Sequence, residues 1–487
     1  MSSNNLQQKT FSGVIWGFME KFSLQAFAFI QGVILARLLM PSDYGLLAMV
    51  AIFSGIAKIM VDSGFASALV RKQDKTEIDY STVFDANLII SIVVAFVLFL
   101  CSGAIASFYN QPILQEIIWV MCIQIILNAA ITIQGVRLTS ELQFKKISII
   151  NIISTVASGL LAIGMAVYGY GVWSLVYPGF LTIIVKAVLF WHFQHWFPGI
   201  GFSWKVCKEL FGFGSKIAAS YLLGTIYENL YSIVIGKAFS AKDLGYYTRG
   251  LNYSQMPATT ITGVLGGVAY PVLSEIQQDT DRLRNAYIRM IRLSAYIVFP
   301  IMIGLAAVAK PLLLLMLTEK WADAIIYLQI SCFALMWYPM HSLNLDLLQV
   351  KGRSDLFFKL EVYKKLLGVV IIAATIPFGI LAMCWGSVLS SVLCLIINTY
   401  YTGKIIEVGF FKQMLFVAPA FVFSLTMGVL VWTTTLFIPD LTIQLIVGCF
   451  VGVVYYWAIS KITKSEDYNY FCIVLKQNVI ERFRKND

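Results

Sequence analysis

Apolar residues in this chain come in unbroken runs of spanning length, divided by short polar breaks. Fourteen runs can be drawn, at about 13–36, 45–68, 83–106, 113–136, 147–168, 172–193, 213–236, 251–271, 289–309, 324–347, 360–377, 380–402, 413–436 and 441–460. A helix that crosses the hydrocarbon core needs about 20 such residues. Strands of an outer-membrane barrel would instead alternate apolar and polar over about ten residues. The pattern therefore predicts an all-α polytopic membrane protein with about 14 transmembrane helices.

Composition sharpens this. Hydrophobic residues make up 59% of the chain and charged ones 13%, against roughly 25% charged in a soluble domain. Polar groups are too few to cover a surface in water. Residues 1–10 are polar, and the apolar run that follows has spanning length without a small-residue cleavage site. No removable signal peptide is expected. The eight cysteines are scattered without a CxxC, which predicts neither a disulfide frame nor a zinc site.

Charge then sets orientation. With the N-terminus placed in the cytoplasm, 27 of the 36 Lys and Arg fall on predicted inner segments and six on outer ones. The positive-inside rule makes both termini cytoplasmic. The net charge of +10 is thus a topology signal. Dispersed over many loops, it gives no continuous basic face for nucleic acid.

The chain also repeats itself. "ILARLLMPSDYG" begins at Ile34 and "VIGKAFSAKDLG" at Val234, so Arg37, Asp43 and Gly45 are echoed by Lys237, Asp243 and Gly245. Both read as hairpin punctuation: a cation that snorkels, an Asp that bonds local backbone, and a Gly free to take positive φ. "ELQFKKISI" before the fifth span is echoed by "DLFFKLEVY" before the eleventh, and "YGYGVWSL" by "IPFGILAM". A unit of six spans is even, so the copies face the same way and form parallel repeats enclosing a cleft. The expected organisation is an N-terminal lobe at 1–195, an amphipathic interfacial linker at 196–212, a second lobe at 213–403, and an appended helix pair with a basic tail at 404–487.

Six plus six plus two spans, "ARLLMPSDYGLLAM" after the first span and "RLTSELQFKKISIINIIS" before the fifth together resemble the Wzx-type polysaccharide flippases. These belong to the multidrug/oligosaccharidyl-lipid/polysaccharide exporter superfamily, and the likeness is to its lipopolysaccharide, colanic and teichuronic acid subgroup. The resemblance implies transport of an undecaprenyl-pyrophosphate-linked oligosaccharide from the inner to the outer leaflet of a bacterial cytoplasmic membrane. It implies a lipid-linked substrate and polysaccharide polymerase machinery as partners, and a monomer is expected.

Charges inside spans are costly and usually face a cavity. A pyrophosphate in a cleft requires cations, and the candidates are Lys58, Lys216, Arg249 and Lys21. Lys58 and Asp62 lie one turn apart, so they share a face and could instead simply pair. Asp62, Glu228, Asp346 and Glu20 are candidates for ion pairing or for coupling to H+ or Na+. Lys186 and Asp85 are further intramembrane charges. His192 and His195 are three apart without a third ligand, so no metal is expected. No Walker loop, nucleophile elbow or zinc motif occurs, so no catalytic residue and no cofactor are expected. A cation antiporter of the same superfamily is the alternative, and it would carry more acids than bases in the cleft. A membrane glycan ligase is the remaining reading. Its catalytic groups would need a long outer loop, and "FYNQP", "YGYG", "PFG" and "IPDL" are short.

Overall fold

The computed structural model describes residues 3–469 except 63–64, 73, 195 and 200. The side chains of some helical residues, Lys216 among them, lie outside that description, as do His195 and the basic tail from 470 onward. All regular structure among the described residues is helical, as expected. The chain divides into two compact units, Met1–Gly245 and Tyr246–Asp487.

The first unit contains α1 (Ser3–Leu38), α2 (Pro41–Asp62), α3 (Phe65–Arg71), α4 (Glu77–Tyr109), α5 (Ile113–Ser140), α6 (Phe144–Val167), α7 (Trp173–Val176), α8 (Pro178–Gln194), α9 (Trp204–Glu228), α10 (Leu230–Ala238) and the start of α11 (Ala241–Glu275). Its main packings are α4 on α5, α1 on α6 and α6 on α8, with α9 and α10 seated against α2. The second unit continues α11 and adds α12 (Thr280–Ala307), α13 (Ala309–Leu317), α14 (Ala324–Leu335), α15 (Tyr338–Val350), α16 (Ser354–Thr375), α17 (Ile380–Ile406), α18 (Phe410–Leu436) and α19 (Leu441–Ile462). There α12 packs on α18, α18 on α19, and α16 and α14 on α17.

Eleven spans among the described residues are long and apolar enough to cross a bilayer. Of the other three expected spans, two are interrupted and one is continuous but charged. The run at 213–236 breaks at Asn229 between α9 and α10, and that at 324–347 breaks at Met336 and Trp337 between α14 and α15. Helix α16 carries Lys359, Glu361, Lys364 and Lys365 within two turns. These charges lower its hydropathy without breaking the helix.

Where spans begin and end, capping chemistry decides. Helix α4 starts with a capping box, in which the Thr76 side chain accepts from Asp79 N–H and Asp79 accepts from Thr76 N–H. This satisfies two of the orphan donors of the first turn. It ends at Asn110 in the left-handed region, a conformation that Asn tolerates.

The second echo is one turn built twice. In the α5–α6 turn Leu142 N–H donates to Thr139 O and Gln143 N–H to Leu138 O. In the α15–α16 turn Gly352 N–H donates to Gln349 O and Arg353 N–H to Leu348 O. The hinge residue has positive φ in both, 58° at Leu142 and 69° at Gly352. A Cβ on Gly352 would meet nothing within 4 Å, so Gly352→Ala isolates the conformational cost. The substitution is expected to destabilise the protein by about 1 kcal/mol, read as a lower thermal midpoint in detergent. An unchanged midpoint would show that the turn relaxes freely.

The first echo differs from its sequence reading. Gly45 and Gly245 are not in a positive-φ reversal; both lie inside the opening turns of α2 and α11. The Asp residues do serve the caps: Asp43 Oδ2 accepts from Met40 N–H at 2.9 Å, and Asp243 Oδ2 accepts from Ser240 N–H at 3.3 Å. The glycines bring the two copies together. A Cβ on Gly45 would stand 1.6 Å from the Ala241 carbonyl oxygen, and a Cβ on Gly245 would stand 1.9 Å from that of Pro41. Residues 200 apart thus exchange identical contacts, as across a local two-fold axis. The absence of side chains lets the backbones touch, the use membranes make of small residues at helix crossings.

Residues 196–199 and 201–203 are docked rather than loose. Trp196 is buried among Phe65, Leu69, Tyr80 and Ile133, and its Nε1–H donates to Glu77 Oε2 at 2.6 Å. Arg137 bridges to the same carboxylate at 2.8 Å and lies 4.9 Å from the centre of the Tyr80 ring. Gly199 N–H donates to Ser81 Oγ and Ser203 N–H to Thr82 Oγ1. Phe197, Phe202 and Trp204 remain exposed, the placement of side chains that enter an interface.

Candidate functional site

Three helix faces of the first unit converge on one cavity of about 310 Å3. Helix α2 contributes Ser54, Lys58, Val61 and Asp62, a stripe at the spacing of one helical face. Helix α5 contributes Met121, Gln124, Ile125 and Asn128, and α8 contributes Gly179, Thr182 and Ile183, each again one face. Packing of α2 and α8 on α5 brings these stripes together. Polar groups facing such a space within bilayer-spanning helices carry an insertion cost that ordinary packing would avoid.

Lys58 is exposed to the cavity and Asp62 is half-buried. Asp62 lies within electrostatic reach of Lys58, yet no salt bridge joins them among the described residues. The local-pairing explanation for the two charges therefore lacks its contact. The Gln124 amide is oriented by its Nε2–H, which donates to Val176 O at 2.8 Å. It passes so close to Gly179 that a Cβ there would lie 2.8 Å from Nε2. Gln124 Oε1 and the Asn128 amide have no partner among the described residues.

A second polar group lies in the same unit. Glu20 of α1 accepts from Ser148 Oγ and from Asn151 Nδ2, each at 2.7 Å. Lys186 of α8 is within electrostatic reach of both Lys58 and Glu20. Lys21 is exposed. Lys216 lies on α9 with its side chain outside the description, and Glu228 is exposed at the end of the same helix.

Arg249 and Asp346 belong to the second unit. The Arg249 guanidinium is 5.9 Å from the centre of the Trp321 ring, a cation–π distance. Asp346 accepts from Ser342 Oγ at 3.4 Å. Within the first unit, Lys58 and Asp62 share the cavity, and Lys186 connects them electrostatically to Glu20. Gln124, Asn128, Thr182, Ser148 and Asn151 were not singled out from the sequence. Their signal was present as amides and hydroxyls at helical spacing inside apolar runs, but uncharged polar residues are common in such runs.

Helices of spanning length in two compact units, one bearing a half-open cavity lined by charged and polar groups, define a multi-pass membrane protein of transporter architecture. The model of a family described as polysaccharide biosynthesis protein matches residues 34–326, more than half of the chain, and the chain belongs to that family. It is 24% identical over 444 residues to the teichuronic acid biosynthesis protein TuaB of Bacillus subtilis, covering 90% of this chain and 92% of that protein. It is 26% identical over 398 residues to the lipopolysaccharide biosynthesis protein WzxC of Escherichia coli, covering 81% and 80%. The resemblance to Wzx-type proteins drawn from the sequence is thereby borne out. Among solved structures, the fold matches the lipid II flippase MurJ with a TM-score of 0.72 at 14% identity, over 92% of this chain and 98% of that one. It matches an inward-facing multidrug resistance transporter of the MATE family with a TM-score of 0.62 at 14% identity, over 79% and 94%.

Proposed function

We propose that this protein translocates an undecaprenyl-pyrophosphate-linked oligosaccharide repeat unit from the cytoplasmic to the outer leaflet of the bacterial inner membrane. Both termini are cytoplasmic in this reading, and transport proceeds by alternating access. The observation that carries it is a lysine, unbridged by its neighbouring acid, facing a cavity inside a bilayer-spanning unit. Membership of a polysaccharide biosynthesis family supplies the cargo class, and a pyrophosphate supplies the anion such a lysine would hold. Lys58 lies near the end of α2 remote from Pro41, which the charge asymmetry puts on the cytoplasmic side, where loading occurs. Lys21, Lys216 and Arg249 are proposed from the sequence as further cations for the headgroup, and the polyprenyl tail remains in lipid. Glu20, Asp62, Glu228 and Asp346 are the groups through which H+ or Na+ would couple. The protein works as a monomer beside the polymerase machinery that uses its product.

The test is removal of the protein from its bacterium. Lipid-linked repeat units are expected to accumulate on the cytoplasmic face while surface glycan is lost. Drug sensitivity with intact surface glycan would overturn the flippase reading in favour of the cation antiporter.

A further inference from the structure

We propose that the start of α9 is a binding surface for anionic phospholipid of the cytoplasmic leaflet, formed by Phe202, Trp204, Lys205, Lys208 and Phe211. The proposal goes beyond the transport reading and holds whatever the cargo is. One side of this stretch is seated on the first unit. Ser203 N–H donates to Thr82 Oγ1 at 3.1 Å. Leu210 is buried in a cluster with Phe65, Leu69 and Tyr80, and Val206 and Cys207 pack against that cluster. The other side is open. Trp204 is 76% exposed, Phe211 49% and Phe202 46%, and the Phe202 and Trp204 rings meet edge to face at 5.5 Å. Lys205 and Lys208 are exposed as well, and neither joins a salt bridge among the described residues.

Position and charge together select the partner. Trp204, Lys208 and Phe211 stand at i, i+4 and i+7, so they share one helix face. Exposed Glu209 is turned about 140° away from Trp204 around the helix. The surface runs directly into the apolar stretch that begins near residue 213. Lys208 precedes that stretch by about 7.5 Å along the axis, and a headgroup layer is about 5–7.5 Å thick. The aromatic rings therefore meet the boundary between acyl chains and headgroups, where such side chains gather, and the lysines can snorkel to phosphate. A zwitterionic headgroup neutralises its own phosphate, so two ammonium groups gain little from it. A headgroup with net negative charge supplies the counterion that the structure does not. Because the opposite side of the stretch is docked, the rings and lysines are presented as a fixed surface and lose little freedom on binding.

The experiment follows intrinsic fluorescence of the full chain in phosphatidylcholine nanodiscs that carry increasing amounts of brominated lipid. Bromines on the acyl chains quench the rings they touch, and the difference between the native chain and Trp204→Phe isolates Trp204. Brominated phosphatidylglycerol is expected to half-quench Trp204 at a mole fraction at least fivefold lower than brominated phosphatidylcholine. A factor of about five is the worth of one lysine beside an anionic leaflet. The double variant Lys205→Gln/Lys208→Gln should lose that preference while Trp204 is still quenched by both lipids, which also shows that its fold is kept. Quenching of Trp204 by neither lipid would overturn the membrane contact. Equal quenching of the native chain by both lipids, or a preference intact in the double variant, would overturn the anionic selection. Glycan export enters none of these readings, so the flippase proposal is tested separately.

Discussion

Gly45→Ala is expected to lower the thermal midpoint of the purified protein, although alanine is the better helix former. Inside a helix, exchanging Gly for Ala ordinarily gains about 1 kcal/mol. Here the new methyl would lie 1.6 Å from the Ala241 carbonyl oxygen, and neither backbone has a rotamer with which to yield. The opening turns of α2 and α11 must separate. Overpacking of this kind costs roughly 1–3 kcal/mol, and with backbone on both sides the upper end applies, so a net loss of about 2 kcal/mol is expected after the helix-propensity gain. Gly245→Ala should act alike through Pro41. The double variant should lose less than the sum of the two, because the first methyl already parts the pair. Thermal unfolding followed by intrinsic fluorescence reads all three variants. A raised midpoint for either single variant would refute the backbone contact.

Lys58→Ala should reduce export of lipid-linked repeat units by roughly 10- to 100-fold, since a hydrogen bond to a charged group is worth about 1.5–3 kcal/mol. Lys58→Arg should retain most of the activity by keeping the charge, and Lys58→Glu should abolish it. Removing Lys58 breaks no salt bridge among the described residues, so membrane insertion and thermal midpoint should be unaffected. Surface glycan and accumulated cytoplasmic intermediates measure export, and protein abundance in the membrane fraction measures insertion. Export by Lys58→Ala at the native rate would remove Lys58 from the path.

Several features were legible in the residues alone. Uninterrupted apolar runs mark the helices because a backbone in lipid must satisfy its own hydrogen bonds, and few structures do so. Lys58 and Asp62 stood out because a charge in such a run is rare. The α5–α6 and α15–α16 turns were visible as an echo of letters. Their backbones align at an offset of 210, Leu142 with Gly352, whereas the quoted letters align at 214, Glu141 with Asp355. Identity between the copies has decayed, while the geometry of the turn has not.

Other features required the packing. Gly45 has the same appearance in a chain whether it takes a left-handed turn or abuts a carbonyl, and only the Ala241 oxygen beside it decides. Trp196 opens the segment read as an interfacial linker, yet Glu77, Arg137 and Tyr80 enclose it. Asn128, Gln124 and Thr182 come from two helices and face Lys58 from a third. The sequence by itself determined helical class, span placement, charge asymmetry and the doubled motif, because each is set by neighbours along one chain and by water against lipid. Which faces converge on the cavity, and which glycines touch, only the tertiary structure decided, since those depend on contacts between residues that are far apart in sequence.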